Sequence, residues 1–101
     1  MFRVIVSKEA QRDLVNIRDE LCNPDAAGRI IRALRAAVQD LRNFPNRGRP
    51  LDAMISIHTE YRYLPCENYC VFCLVIENKV FVIRILRQKQ DTLKALFMDR
   101  E

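Results

Sequence analysis

Tyr69-Cys-Val-Phe-Cys-Leu-Val-Ile76 and Lys79-Val-Phe-Val-Ile-Arg-Ile-Leu86 flank the dipeptide Glu77-Asn78. Two runs rich in β-branched and aromatic residues, separated by two residues, read as a tight β-hairpin, with Asn tolerating the left-handed backbone region. The first run is apolar at consecutive positions, the pattern of a central strand covered on both faces. In the second, strict alternation puts Val80, Val82, Arg84 and Leu86 on one face and Phe81, Ile83 and Ile85 on the other. Arg84 is thus a charge in an apolar row, so it must reach water, pair with a carboxylate or meet a ligand. Two readings follow. Arg84 pairs with an Asp or Glu near the end of the sheet, or it forms an anion site with Arg62, Arg87 and Lys89.

Upstream, Glu60 to Leu64 reads as a third strand of the same sheet, with Pro65 to Asn68 turning the chain. Residues 51–59 show no clean period. Pro45-Asn-Arg-Gly-Arg-Pro50 is a rigid basic loop in which Gly48 permits unusual backbone angles and Pro50 pushes Arg49 toward an extended conformation. Before it, Ala27, Ile30, Ile31, Leu34, Ala37, Val38, Leu41 and Phe44 form one apolar helical stripe, with Arg29, Arg32, Arg35 and Arg42 elsewhere. Asn23 caps that helix, Pro24 takes the first turn where no amide is needed, and Asp25 meets the positive end of the dipole. An earlier helix starts after Ser7 and carries Ala10, Leu14, Ile17 and Leu21 on one face. Phe2 to Val6 is a short strand, and Asp91 caps a short last helix through Leu93, Leu96 and Phe97. The order is β-αα-βββ, an α+β fold in which a helical hairpin packs on an antiparallel sheet.

At 101 residues the chain holds one core and one domain spanning 1–101. It lacks an apolar run near the ~20 residues that span a bilayer and lacks a secretory leader, so a soluble cytoplasmic protein is expected. Residues 1–50 carry ten Lys/Arg against six Asp/Glu, and residues 51–101 seven against seven, so the basic excess lies in the first half. Thirteen of the seventeen cations are arginine, whose planar fork suits phosphate and carboxylate partners. A nucleic-acid surface, an acidic protein partner and an ordinary solvated face all fit this charge.

Cys22, Cys66, Cys70 and Cys73 read as reduced thiols. Cys70 and Cys73 lie three apart on one strand and point to opposite faces, and no histidine pair completes a metal set. No metal or cofactor is expected. The single histidine, His58, sits in the polar segment Ser56-Ile-His-Thr59, where simple exposure is the ordinary state. No nucleophile motif, Gly-rich phosphate loop or paired-carboxylate spacing is present.

Four features occur in a fixed order: the topology β-αα-βββ, the opening Ser7-x-x-Ala10-x-x-Asp13-Leu14, the loop Phe44-Pro45…Gly48-Arg49, and the ending Tyr69…Val82-Ile-Arg-Ile-Leu-Arg-x-x-x-Asp91. Together they resemble the RelE/ParE superfamily of bacterial toxins from type II toxin–antitoxin modules, over nearly the whole chain. The resemblance implies a cognate antitoxin, acidic and DNA-binding, and one of two activities. RelE-like members cleave mRNA on the ribosome; ParE-like members poison DNA gyrase.

Ungapped comparison around Tyr69 puts the RelE lysines at Tyr61 and Tyr63, its strand arginine at Cys70, its C-terminal basic residue near Arg87 or Gln88, and its terminal tyrosine near Lys94. Most of the RNA-cutting set is therefore replaced, and the Ile-Leu-x-Gln-x-x-Asp ending is closer to ParE-like members, which usually carry His where this chain has Arg87. The resemblance implies Arg49, Arg62, Arg84, Arg87 and Lys89 as target-binding candidates. For an endoribonuclease, Arg62, Arg84, Arg87 and Lys89 would be the cations and Tyr61, Tyr63 or His58 the base. The leading expectation is a non-nucleolytic, ParE-like toxin; the alternatives are a ribosome-dependent endoribonuclease and a decayed member that only binds its antitoxin.

Overall fold

A computed structural model describes residues 2–51 and 60–88. The elements are β1 (Arg3–Val6), α1 (Lys8–Glu20), α2 (Pro24–Asp40), β2 (Arg49–Pro50), β3 (Arg62–Cys66), β4 (Tyr69–Ile76) and β5 (Lys79–Arg87). One five-stranded sheet has the order β1-β5-β4-β3-β2. β4 is its middle strand, and Tyr69 to Cys73 are all buried, as a run apolar on both faces requires.

The sheet is mixed rather than wholly antiparallel. β2 to β5 pair antiparallel, but β1 joins the far edge parallel to β5, from Arg3 opposite Lys79 to Val6 opposite Val82. A first strand separated from its partner by a helical hairpin is free to pair this way, because the helices supply the long return that parallel strands need.

The caps expected at Ser7 and Asn23 form. The Ser7 hydroxyl accepts from the Ala10 amide at 3.0 Å, and Asn23 Oδ1 accepts from the amides of Asp25 and Ala26 at 2.9 and 3.2 Å. From Ser7, α1 runs beside β5 in the same direction. α2 returns the chain until the Arg42 carbonyl accepts from the Phe2 amide at 2.9 Å. α2 stops at Asp40, whose carbonyl accepts from Asn43 and Phe44 in the following turns. Phe44 consequently leaves the buried stripe and stands exposed, because the residue before Pro45 is driven from helical angles.

A register shift in β5 changes which residues share a face. Cys73 lies opposite Val82 and Phe72 opposite Arg84, so Ile83 is an extra residue between them, a β-bulge. The bulge inverts the alternation beyond it. Val80, Val82 and Ile85 therefore pack together under the helices, with Ala10, Ile17, Leu34, Val38, Tyr69, Val71 and Cys73. Leu86 packs against a second cluster of Leu51, Tyr63, Cys70 and Phe72. Cys70 and Cys73 do serve opposite faces, and all four cysteines are free.

The turns differ in detail from expectation. β3 is displaced toward the C-terminus, and its two-residue turn to β4 is Glu67-Asn68, both at positive φ (52° and 69°). Pro65 lies within β3, beyond the two residues that β2 pairs, where a missing amide costs no ladder bond on that side. In the β4–β5 turn Glu77, not Asn78, takes the positive φ (56°). Gly48 has no positive φ; a Cβ there would stand 3.1 Å from the Tyr63 carbonyl oxygen, so the glycine permits close approach of β2 to β3. Among the described residues no helix is long and apolar enough to cross a membrane. His58, Lys89 and the 91–97 segment lie outside the described residues.

Candidate functional site

β1 ends opposite Val82, which leaves the outer edge of β5 uncovered from Ile83 onward. Groups from the start of α1 take its place. The Ser7 amide donates to the Val82 carbonyl at 2.9 Å, and the Ser7 hydroxyl donates to the Ile83 carbonyl at 2.7 Å. In the second turn of α1 the Asp13 carboxylate accepts from the Ile85 amide at 2.9 Å. The same carboxylate takes Arg84 through two parallel bonds, Nε to Oδ2 at 2.8 Å and Nη2 to Oδ1 at 3.0 Å. Planar fork against planar carboxylate is the strongest arrangement available to these groups. Asp13 is 8% exposed and is the one buried charged residue among the described ones. Of the two readings of Arg84, the carboxylate pair is the one formed.

Arg62 is held at the other end of the sheet. Its Nε and Nη2 donate to the Gly48 carbonyl at 3.0 and 2.6 Å, and Nη2 donates to the Asn46 carbonyl at 3.2 Å. It ties the loop after α2 to β3. In the ladder Arg62 stands opposite Cys73 and Arg84 opposite Phe72, neighbouring residues of β4 that feed different core clusters. The two cations therefore do not converge. Nearby, Arg47 pairs with Asp40 and lies over the Phe44 ring, 5.8 Å from its centroid. Arg49 is exposed on β2, opposite Tyr63.

Arg87 ends β5 at the opposite pole, beside the turn between the helices. Its Nη2 is 3.8 Å from Glu20 Oε2, and both side chains are more than half exposed. An open cleft of about 390 Å³ lies there, lined by Leu21, Ile30, Glu67, Asn68, Tyr69, Arg87 and Gln88. Its walls are tied. The Gln88 amide donates to the Asn68 carbonyl at 3.0 Å, Gln88 Nε2 donates to the Tyr69 carbonyl at 3.1 Å, and Arg29 pairs with Glu67 across the rim.

Cys66, Cys70 and Cys73 are poor nucleophiles. Burial pushes the Cys73 thiol up from 9.0 to about 11, against a smaller opposing pull from the Arg62 guanidinium. Burial also raises Cys70, and raises Cys66 with a further contribution from the Glu67 carboxylate. Among the described residues no three His, Cys, Asp or Glu side chains converge as a metal site.

Asp13, Glu20 and Glu67 escaped the sequence reading as partners of the arginines. One signal existed for Asp13. It lies between Ala10 and Ile17 on the helix face that packs inward, an acidic residue in an apolar stripe answering the basic residue in the apolar row of β5. Glu20 and Glu67 lie on the surface, where nothing in the pattern distinguishes them.

The family model described as the ParE toxin of the type II toxin–antitoxin system, parDE, matches residues 4–92. No curated protein matches the chain. A solved structure described as the chromosomal ParDE TA system from P. aeruginosa superposes with a TM-score of 0.72 at 23% identity. The overlap covers 88% of this chain and 98% of that one. At that identity the likeness shows the shared fold.

Proposed function

Because the chain belongs to the ParE toxin family of type II toxin–antitoxin systems, we propose that it inhibits growth by binding a large target, DNA gyrase, and that an acidic antitoxin neutralises it. The observation that carries the non-nucleolytic reading is the commitment of two of the candidate cations. An RNA-cutting site needs cations gathered on one scissile phosphate, with a base within reach of the 2′-hydroxyl. Arg84 is forked onto Asp13, and Arg62 is spent on the carbonyls of Gly48 and Asn46. Arg49, Arg87 and Lys89 are the cations we assign to target contact, Arg49 and Arg87 being exposed at the two ends of the sheet.

The acidic character of the antitoxin follows from charge. Arg12, Arg18, Arg29, Arg32, Arg35 and Arg42 are exposed on the helical hairpin and the turn after it, a surface complementary to carboxylates. Induced expression in cells tests the reading. Inhibited supercoiling and a DNA-damage response with intact mRNA are expected, and co-expression of a short acidic antitoxin, if one is encoded beside this gene, should restore growth. Primer-extension cuts within translated messages would instead identify a ribosome-dependent endoribonuclease. No growth effect at all, with antitoxin binding retained, would identify a decayed member.

A further inference from the structure

We propose that Arg62 is a positioning residue, whose guanidinium fixes the direction in which Arg49 meets the target without touching the target itself. The inference rests on the reading of Arg49 as a target contact and assigns the residue that organises it. Arg49 is exposed on β2, and among the described residues its side chain makes no hydrogen bond or ion pair. An arginine without a partner keeps several rotatable bonds, and freezing them on binding costs affinity. What the fold can fix in advance is the backbone from which the side chain leaves.

The flanking peptides set that backbone. The Gly48 carbonyl and the Arg49 amide belong to one planar unit, so whatever holds the carbonyl also holds the amide. Arg62 holds it twice, from Nε at 3.0 Å and from Nη2 at 2.6 Å, and Nη2 also donates to the Asn46 carbonyl at 3.2 Å. On the other side Pro50 confines Arg49 to extended angles. β2 is only two residues long, with Arg49 opposite Tyr63 and Pro50 opposite Arg62, too short to hold itself. Gly48 allows the close approach to Tyr63 but has no side chain to restrict the peptide. Arg62 supplies the restriction.

The brace and the contact lie on different faces. Residues opposite each other in a ladder project to the same side, and neighbours along a strand to opposite sides. Arg62 stands opposite Cys73, of the cluster under the helices, and Tyr63 opposite Phe72, of the second cluster. Arg49, opposite Tyr63, therefore leaves β2 on the face away from the helices. Arg62 ties the loop from one face while Arg49 is offered from the other, so the two cations do not converge on one anion.

The test is a double-mutant cycle on the affinity of the full chain for the gyrase holoenzyme, with a far-UV melt of each variant. Arg49→Gln should weaken binding about ten-fold, as the loss of a charge-assisted bond implies. Arg62→Met, which keeps the aliphatic stem and removes the donors, should weaken it about five-fold by freeing the side chain of Arg49. The double variant should be no weaker than Arg49→Gln alone, because a brace has nothing to position once the contact is gone. A purely structural role lowers the folded fraction by the same factor whether position 49 holds Arg or Gln, so the two losses would then multiply to about fifty-fold. That product, or undiminished binding in either single variant, overturns the proposal. Should Arg62→Met not fold, Arg62→Lys, which keeps the charge and part of the donor set, carries the cycle with a single loss of about two-fold and the same expectation for the double variant. If the wild-type chain does not bind gyrase, the gyrase reading fails and the cycle is read from growth inhibition at matched folded abundance. There, losses that do not multiply support the positioning role and losses that multiply overturn it. A wild-type chain that inhibits neither gyrase nor growth gives Arg49 no target to meet and overturns both.

Discussion

Arg84 and Arg87 stand three residues apart on one strand and lead different lives. Arg84 meets a carboxylate that is itself buried, at two bonds of 2.8 and 3.0 Å, while Arg87 meets one that is exposed, at a single distance of 3.8 Å. The difference lies in what each carboxylate must otherwise satisfy. Asp13 also receives the Ile85 amide at the edge where β1 ends, so it closes the sheet as well as neutralising a charge. Glu20 closes nothing. Desolvation and shared partners make Arg84 a structural bolt, whereas the contact between Arg87 and Glu20 lies on the surface.

The largest test of this contrast is Asp13→Ala. It strands a part-buried guanidinium and an edge amide together and should lower stability by about 3 kcal/mol, at the low end for a broken buried pair because Arg84 is 29% exposed. Urea denaturation measures the loss. A double-mutant cycle with Arg84→Ala should return a coupling above about 1 kcal/mol, whereas the same cycle on Glu20 and Arg87 should return less than about 0.5 kcal/mol. Equal couplings in the two cycles would erase the distinction. Arg84→Ala alone should therefore act through folding, and any loss of toxicity should track the melting temperature.

Alkaline titration probes the same buried layer from another residue. The unfolded Cys73 thiol ionises near its ordinary 9.0, while the folded one holds its proton until about 11. Between those values the unfolded state releases a proton that the native state keeps. The contribution of this thiol is thus fully present below pH 9 and lost as pH rises toward 11, at up to about 1.4 kcal/mol per pH unit. Cys73→Val should flatten that part of the stability curve. If wild type and variant fall in parallel from pH 9 to 11, Cys73 is not the group responsible. Gly48→Ala should cost less, about 1 kcal/mol, since the Tyr63 carbonyl at 3.1 Å must give by only a few tenths of an ångström. Its readout is a melting shift with the Arg62 contacts retained.

The hairpin, both helix caps and the layer of helices on sheet were legible because each rests on local pattern: a two-residue turn, a hydroxyl or amide before a periodic run, a stripe of aliphatics. The bulge was not. Ile83 and Ile85 are equally apolar, so alternation alone assigns them to one face. What inserts the extra residue is an edge occupied by Ser7 and Asp13, 76 and 72 residues away in sequence. The clamp was half legible, since Asp13 and Arg84 each break an apolar pattern. Joining them required knowing that β1 lies beside β5, which no local signal carries. Arg62 presented no anomaly at all. A cation in a short polar-flanked strand reads as exposed, and its carbonyl partners in the 46–48 loop emerge only from the close packing that Gly48 allows.

The smallest expected change in stability belongs to Arg87→Ala, and it is the most discriminating for function. Removing an exposed partner of an exposed carboxylate should shift stability by less than about 0.5 kcal/mol. If Arg87 contacts the target, that variant should nevertheless restore growth in cells expressing it at wild-type abundance. Arg84→Ala should restore growth only by depleting folded protein. Growth relieved by both variants at equal folded abundance would mean that the buried pair reaches the target after all. Relief by neither would remove this end of the sheet from the inhibitory surface and make Arg49, exposed at the other pole, the next candidate to examine. The comparison therefore separates a residue that matters because the fold needs it from one that matters although the fold does not.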